Sequence, residues 1–365
     1  LEPDSLLAPG KCPLQAVCNL WTVDGLYLII QSVSVVIPTF NGASRIGRCL
    51  DALLGQTKPE ALEVEIIVVN DGSTDNTAEA VSRYPEVLLI NQANAGPAAA
   101  RNCGAREAKG DILLFTDDDC VPTSDWLRSI LDPFKEPDVV GSKGAYRTRQ
   151  KSIVARFVQI EYEDRYRLME GEDKIDFIDT YSAAFRRDRF LEMNGYDTSF
   201  PVACAEDIEL SYRMSARGWK MVFVPSAIVY HTHPGDLLRY LKKKYKFAFW
   251  RVLAVRKNPS KAVKDSHTPQ IMKLQLLFAP ALVAAAALDL AIQPGVPIAA
   301  VVAALFLLST LPFAIRAIAK DPIVGILSPA LLAGRACAQF LGVVGGVLYA
   351  RRRPELEVPS KSVAS

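Results

Sequence analysis

Apolar and polar positions fall in blocks along the first two thirds of the chain. Runs rich in β-branched residues, VSVVIPTF, LEVEIIVVND, EVLLIN and DILLFTDDD, each end in a polar or turn-forming cluster. They read as strands that are apolar on both faces, as a sheet covered by helices requires. Between them, Arg45–Leu54, Thr74–Ser82 and Pro97–Ala108 read as helices. Strands alternating with helices predict βαβ units and a Rossmann-like, mostly parallel α/β sheet. Ligands of such sheets bind beyond the carboxyl ends of the strands. Polar residues gather at those ends: Asn41, Asp71 and Asp117 to Asp119.

The pattern changes from Leu274 onward, where Ala, Leu, Val and Ile dominate. Leu274–Ile292 is long enough to span a bilayer, and Gly295–Ile315 is a second span with no charge. The loop between them carries no Lys or Arg, whereas basic residues precede the first span and follow the second at Arg316 and Lys320. The positive-inside rule then places both flanks, and the α/β part, in the cytoplasm. Ile323–Ala350 is interrupted by Pro329 and Arg335 and is followed by Arg351 to Arg353. It is expected to form an interfacial or re-entrant hairpin that keeps the C-terminus inside. Its glycines, in FLGVVGGVLYA, suit close helix packing. Just upstream, LLRYLKKKYKFAFWRVLAVRK mixes cations with aromatics, as a helix bridging two domains or a helix in the interface of an anionic membrane does. Its place before the apolar segments favours the membrane interface. The expected organisation is an extension at 1–32, an α/β domain at 33–235, the basic aromatic region at 236–270, membrane segments at 271–350 and a tail at 351–365. Residues 1–32 lack the basic start and clean apolar core of a signal peptide and read as a loosely attached extension.

A formal net charge of +2 names no partner by itself, and no nucleic-acid partner is expected. The seven cysteines are odd in number and form no CxxC pair, which argues against a disulfide framework or zinc site and for a reducing compartment.

Three consecutive carboxylates at a strand end repel one another unless something positive sits among them. NAGPAAARN puts Gly96 and Pro97 at a helix start, where free N–H groups can meet an anion, with Arg101 a turn further in. A diphosphate carrying Mg2+ or Mn2+ satisfies both demands. In VACAEDIELSYR, Glu206, Asp207 and Glu209 open a helix, where acids also serve as ordinary complements to the dipole. In VYHTHP, His231 and His233 would face one side of a strand, which suits a metal pair and equally a polar surface.

VSVVIPTFN, VVNDGSTDNT, NAGPAAARN, ILLFTDDD, NGYDTSF and AEDIEL occur in the order seen in family 2 glycosyltransferases. The chain resembles that family from about Val33 to Pro234. The resemblance implies a GT-A fold, a nucleotide-sugar donor (UDP by default), a divalent cation and inversion at the sugar carbon. By the same resemblance, Pro38, Thr39 and Asn41 lie near base and ribose, Asp71 pairs with the base, and Arg101 approaches base and diphosphate. Asp117 and Asp119 match the ends of the Asp-X-Asp motif, toward sugar and metal respectively, with Asp118 between them among the donor-binding residues. Asp207 matches the catalytic base of the pair it forms with Glu206. His231 or His233 matches a late metal ligand, and Tyr181, Ser182 and Ala183 line the acceptor side. SYRMSARGWKM lacks the Gln-x-x-Arg-Trp motif of processive synthases, so transfer of a single sugar to a glycan or lipid-linked acceptor is expected. A polyprenyl-phosphate sugar synthase is the alternative enzyme, and an inactive GT-A membrane scaffold the alternative of another class.

Overall fold

The structure is a computed structural model and describes residues 30–200, 204–263, 265–293 and 296–352. Most of the expected N-terminal extension and C-terminal tail therefore lies outside the described residues.

The first half builds the parallel sheet. In chain order it runs β1 (Ser32–Thr39), α1 (Ile46–Leu54), β2 (Glu63–Asp71), α2 (Thr77–Ser82), β3 (Val87–Gln92), α3 (Pro97–Glu107) and β4 (Ile112–Phe115). Strand β1 pairs in parallel with β2 on one side and β4 on the other, and β2 pairs with β3. Burial explains the choice: Val33 to Ile37 and Ile66 to Val69 are closed off on both faces. Helix α1 seats Ile46, Cys49, Leu50 and Leu53 on the sheet, the i, i+3, i+4, i+7 spacing of one apolar stripe. Gly96 holds φ at 90°, a backbone that glycine adopts freely, and hands Pro97 to the first position of α3.

The second half extends the sheet with mixed pairing. It comprises β5 (Val121–Pro122), α4 (Trp126–Leu131), β6 (Val139–Arg147), α5 (Ile153–Glu170), β7 (Ala183–Arg186), α6 (Arg187–Glu192), α7 (Glu206–Ala216) and β8 (Lys220–Tyr230). The strand order is β3-β2-β1-β4-β7-β6-β8-β5. Antiparallel β7 joins β4 to β6, and β6 then pairs in parallel with β8. This is the GT-A arrangement that the sequence resemblance implied.

Four long helices follow: α8 (Leu237–Lys257), α9 (Gln270–Ile292), α10 (Ile298–Lys320) and α11 (Pro322–Arg351). The last three are long and apolar enough to cross a membrane. The hairpin expected over 323–350 is corrected: α11 is one unbroken helix. Pro329 cannot donate to the carbonyl of Gly325, but the Ser328 hydroxyl donates to it at 2.8 Å. Arg335, the other supposed break, is buried against Glu161 of α5 at 2.6 Å. Both ends of α11 touch the α/β domain. Val324, Leu331 and Leu332 pack with Phe157 and Tyr240 near its start, and Ala350 packs with Phe200, Tyr212 and Leu253 near its end. Along the way α11 lies tight on α8. A Cβ at Gly342 would sit 2.4 Å from the carbonyl oxygen of Tyr245, and one at Gly346 equally close to that of Phe249.

Candidate active site

The carboxyl ends of β1, β2 and β4, the start of α7 and the segment after β8 converge on one cavity of about 1090 Å3. Pro38, Thr39, Asp71, Arg101, Asp117, Asp118, Asp119, Glu206, Asp207 and His231 all line it. Residues far apart in sequence thus meet for the reason foreseen, that strands of a parallel sheet end on one side.

The three aspartates that follow β4 have separate neighbours, which is how their charges coexist. Asp117 accepts from Arg101 at 2.7 Å. Asp118 is buried between the Thr39 hydroxyl at 2.6 Å and Arg45, whose Nε and Nη2 donate at 2.7 and 3.0 Å. Burial raises its pKa in spite of these donors. Asp118 thereby pins the loop after β1 to the end of β4, a tie that the sequence did not reveal because Arg45 stood in a helical pattern. Asp119 meets His231 Nδ1 at 3.1 Å. Burial opposes ionisation of Asp119, but the His231 hydrogen bond and charge outweigh it and hold the carboxyl below its ordinary range.

Cys120 Sγ lies 3.8 Å from the same His231 nitrogen, so Asp119, Cys120 and His231 form one cluster with ligand atoms within 4.8 Å of one another. Burial pushes the Cys120 thiol well up, so it stays protonated at neutral pH and the strong donors are the carboxylate and imidazole. Cys120 was missed as a neighbour of the histidine, although it directly follows the acid run. His233 does not join the cluster, which corrects the metal-pair expectation for it. Strand β8 ends at Tyr230, so strand alternation no longer relates the two histidines. His233 instead stacks on Tyr162 and places Nε2 3.2 Å from Gln159 Oε1.

Asp71 accepts from the backbone N–H groups of Ala95 and Gly96, both at 2.9 Å, and from Gln92 at 2.7 Å. It therefore shapes the loop leading into α3 while still facing the cavity. Asn41 has φ 51° and accepts from the Thr74 N–H at 2.8 Å. It ties its loop to the Thr74 loop, while Pro38, Thr39 and Phe40 of the same loop line the cavity. Arg101, expected near the base and diphosphate, lines the cavity. It is almost fully buried and joins Asp117 to Glu206 at 3.0 Å, linking the end of β4 to the start of α7. Glu206 in turn accepts from the backbone of Cys204 and Ala205, fixing the entry into α7.

That entry aims Asp207 into the cavity. Burial and the neighbouring Glu206 carboxylate raise its pKa to about 7, against a partial offset from the Ile208 N–H and Arg101. Asp207 is thus poised to exchange a proton near neutrality, whereas Asp119 stays ionised. Behind them, buried Lys143 pairs with Asp179 and donates to the Tyr181 hydroxyl at 3.0 Å. Of the residues expected on the acceptor side, Tyr181 lines the cavity. Ser182 and Ala183 do not: Ser182 accepts from the buried Trp126 indole at 2.8 Å and Ala183 sits in the sheet beside Phe115.

The sheet order and the acid cluster at its carboxyl edge define a GT-A domain of the nucleotide-sugar transferase type. Residues 34–192 match the profile of Glycosyl transferase family 2, so the chain carries a domain of that type. The pre-mycofactocin glycosyltransferase of Mycobacterium tuberculosis is 26% identical over 223 residues, 59% of this chain and 45% of that protein. The poly-beta-1,6-N-acetyl-D-glucosamine synthase of Staphylococcus aureus is 26% identical over 231 residues, 60% of this chain and 54% of that protein. The chain spans about half the length of these curated relatives. A mannosyltransferase from Pyrobaculum calidifontis, solved with GDP-Man and Mn2+, shares the fold with TM-score 0.56, 22% identity and 92% of each chain covered.

Proposed function

We propose that the protein is a membrane-anchored, inverting glycosyltransferase. It moves a single sugar from a nucleotide-diphosphate sugar to a glycan or lipid-linked acceptor at the cytoplasmic face of the membrane. One observation carries this reading: Asp207, held near pKa 7 at the start of α7, lines the same cavity as the Asp119–His231 cluster beyond β4.

Asp119 and His231, with Asp117 adjacent, would hold a divalent cation. When bound, that ion would stabilise negative charge on a leaving diphosphate. An imidazole donor suits Mn2+ better than Mg2+, which prefers oxygen ligands. Asp71, Pro38 and Thr39 border the donor end of the cavity, and the backbone at Gly96 presents the start of α3 to it. Asp207 takes the proton from the acceptor hydroxyl as its oxygen attacks the anomeric carbon. One displacement inverts that carbon and needs no covalent enzyme intermediate.

The helices support a membrane placement in which α9 and α10 cross as a hairpin while α8 and α11 lie along the near face. The basic ends of α10, Arg316 and Lys320, grip Asp164 and Glu163 of α5. The intact acids and the poised Asp207 speak against an inactive scaffold.

The test is nucleotide release by the purified full chain with UDP-, GDP- and dTDP-sugars, each with Mn2+ or Mg2+. Turnover with one donor, stimulated by Mn2+ and removed by chelator, is the expected result. Absence of turnover with every donor and both ions would refute the reading.

A further inference from the structure

The cavity does not stop at the acids. It continues between α8, α9 and α11, and its volume slightly exceeds the roughly 300–1,000 Å3 of an ordinary small-ligand pocket. Helix α8 sends Lys243, Phe247, Arg251 and Val255 along this arm, spaced by four residues and therefore on one face. Facing them, α9 contributes Met272, Lys273 and Leu276, and α11 contributes Val343.

The arm has a charged end and an apolar wall. Arg251 and Lys273 share a single carboxylate, Asp265, at 2.8 and 3.2 Å, so among the described residues these three side chains carry one net positive charge. The Asp265 turn also fixes Thr268, whose N–H donates to Asp265 at 2.7 Å. Thr268 is 4% exposed, and its side chain also hydrogen-bonds the Asp265 carboxylate, so it holds the turn that presents the two cations. Along α8, Arg251 lies eight residues beyond Lys243, about 12 Å of helix rise. Lys243 makes no ion pair among the described residues, and its charge acts on Asp119 at the metal cluster. The second cationic place thus sits away from the reacting end, with room between for a hydroxylated head group.

The geometry points to an acceptor that is a phospholipid-linked saccharide or polyol. Its phosphate or pyrophosphate rests on Arg251 and Lys273, its hydroxyl reaches Asp207, and its hydrocarbon chain leaves over Met272, Leu276 and Val343 between α9 and α11. This deepens the proposed glycosyl transfer and rests on it. The bond formed joins the acceptor oxygen to the anomeric carbon, the bond broken releases the nucleoside diphosphate, and the acceptor proton passes to Asp207. The occupant is assigned to a lipid because the arm opens beside helices long and apolar enough to cross a membrane. A phosphate oxygen is not the nucleophile in this assignment, since it would bring no proton for Asp207 to remove.

The experiment measures binding and turnover separately with the full chain in detergent micelles. The probes are a fluorescent polyprenyl-pyrophosphoryl monosaccharide, the neutral polyprenyl glycoside, the soluble pyrophosphoryl monosaccharide and polyprenyl monophosphate. The expected result is that the first binds at least tenfold tighter than the neutral lipid and the soluble anion. Arg251→Gln and Lys273→Gln should each weaken it by roughly ten- to a hundredfold, the scale of one charge-assisted hydrogen bond, while leaving the neutral lipid unchanged. Leu276→Trp should weaken both lipids and spare the soluble anion. Equal binding of charged and neutral lipids, or variants without effect on the charged lipid, would overturn the assignment. So would sugar transfer to polyprenyl monophosphate as sole acceptor. Donor hydrolysis without lipid would uphold glycosyl transfer even if lipid discrimination failed. Discriminating lipid binding without turnover of any donor would uphold the arm and remove the transfer reading.

Discussion

Asp207 carries two opposite consequences of one perturbation. Its pKa of about 7 lies above the ordinary aspartate value, so the folded protein holds that proton more tightly than the unfolded chain. The stability this lends is full below about pH 4 and is lost as pH rises through about 7. Asp207→Asn should therefore flatten the fall in melting temperature between about pH 4 and 7 and leave the variant the more stable at pH 8. Turnover should drop by about 10²- to 10⁴-fold, the usual worth of a positioned base. In the wild type, kcat/KM should climb tenfold per pH unit up to about 7 and then level off. A pH-independent rate would remove Asp207 from proton transfer. The two histidines offer a second comparison. His231→Ala should raise the Mn2+ concentration for half-maximal activity by at least tenfold. His233→Ala should leave that concentration alone and lower the melting temperature, because its ring is buried against Tyr162. The acid run was legible in the sequence because a strand end places it, whereas Asp207 was singled out only by the family resemblance, since a helix start by itself reads as a dipole complement. The separation of the histidines was not legible, because it depends on where β8 ends.

At the scale of elements, one buried carboxylate organises the junction between the α/β domain and the C-terminal helices. Glu161 of α5 accepts from Arg335 of α11 at 2.6 Å, Lys244 of α8 at 2.9 Å and the Tyr240 hydroxyl at 3.0 Å. Arg335 also donates to Gln275 of α9 at 2.6 Å, so four helices meet around two side chains. Burial opposes the charge on Glu161, but Lys244 and Arg335 outweigh it and hold its pKa at about 2. Here the sign is reversed: the contribution is present above the unfolded value near 4.5 and disappears as pH falls through about 2. Replacing either partner strands the other. Glu161→Gln or Arg335→Leu should cost about 3–5 kcal/mol, read as a large fall in melting temperature in detergent. The double replacement Glu161→Leu/Arg335→Leu should recover part of that loss. No recovery would mean that the pair does not act as a unit. Sequence inspection registered Arg335 as an interruption of an apolar segment, since its partner lies 174 residues away. The FLGVVGGVLYA glycines fared better, because close packing needs only a local absence of side chains.

For the whole molecule, the proposed topology turns on the docking of α11. A helix of 30 residues could leave the domain and cross, and its apolar length alone argues for that. Yet its first turns pack on Phe157 of α5, and Ala350 near its end joins the buried cluster that holds Phe200, Tyr212 and Leu253. Leaving the domain would break the Glu161–Arg335 pair, the glycine contacts with α8 and the Ala350 contacts together. The outward face of the α8–α11 pair is apolar at Tyr245, Leu341, Val344 and Leu348, which suits contact with lipid along its length. The hairpin foreseen from the charge pattern had the wrong shape, and under the proposed placement the arginines that end α11 would still lie on the cytoplasmic side. The turn between α9 and α10 should then be the one described part of the chain that reaches the far side. Gln293→Cys, in a background without other cysteines, should react with a membrane-impermeant maleimide on intact cells. Arg352→Cys should react only after lysis, and a fluorescent-protein fusion at the C-terminus should be bright. Labelling of Arg352→Cys from outside would show that α11 crosses, which would require the contacts at one of its ends to be absent in the membrane.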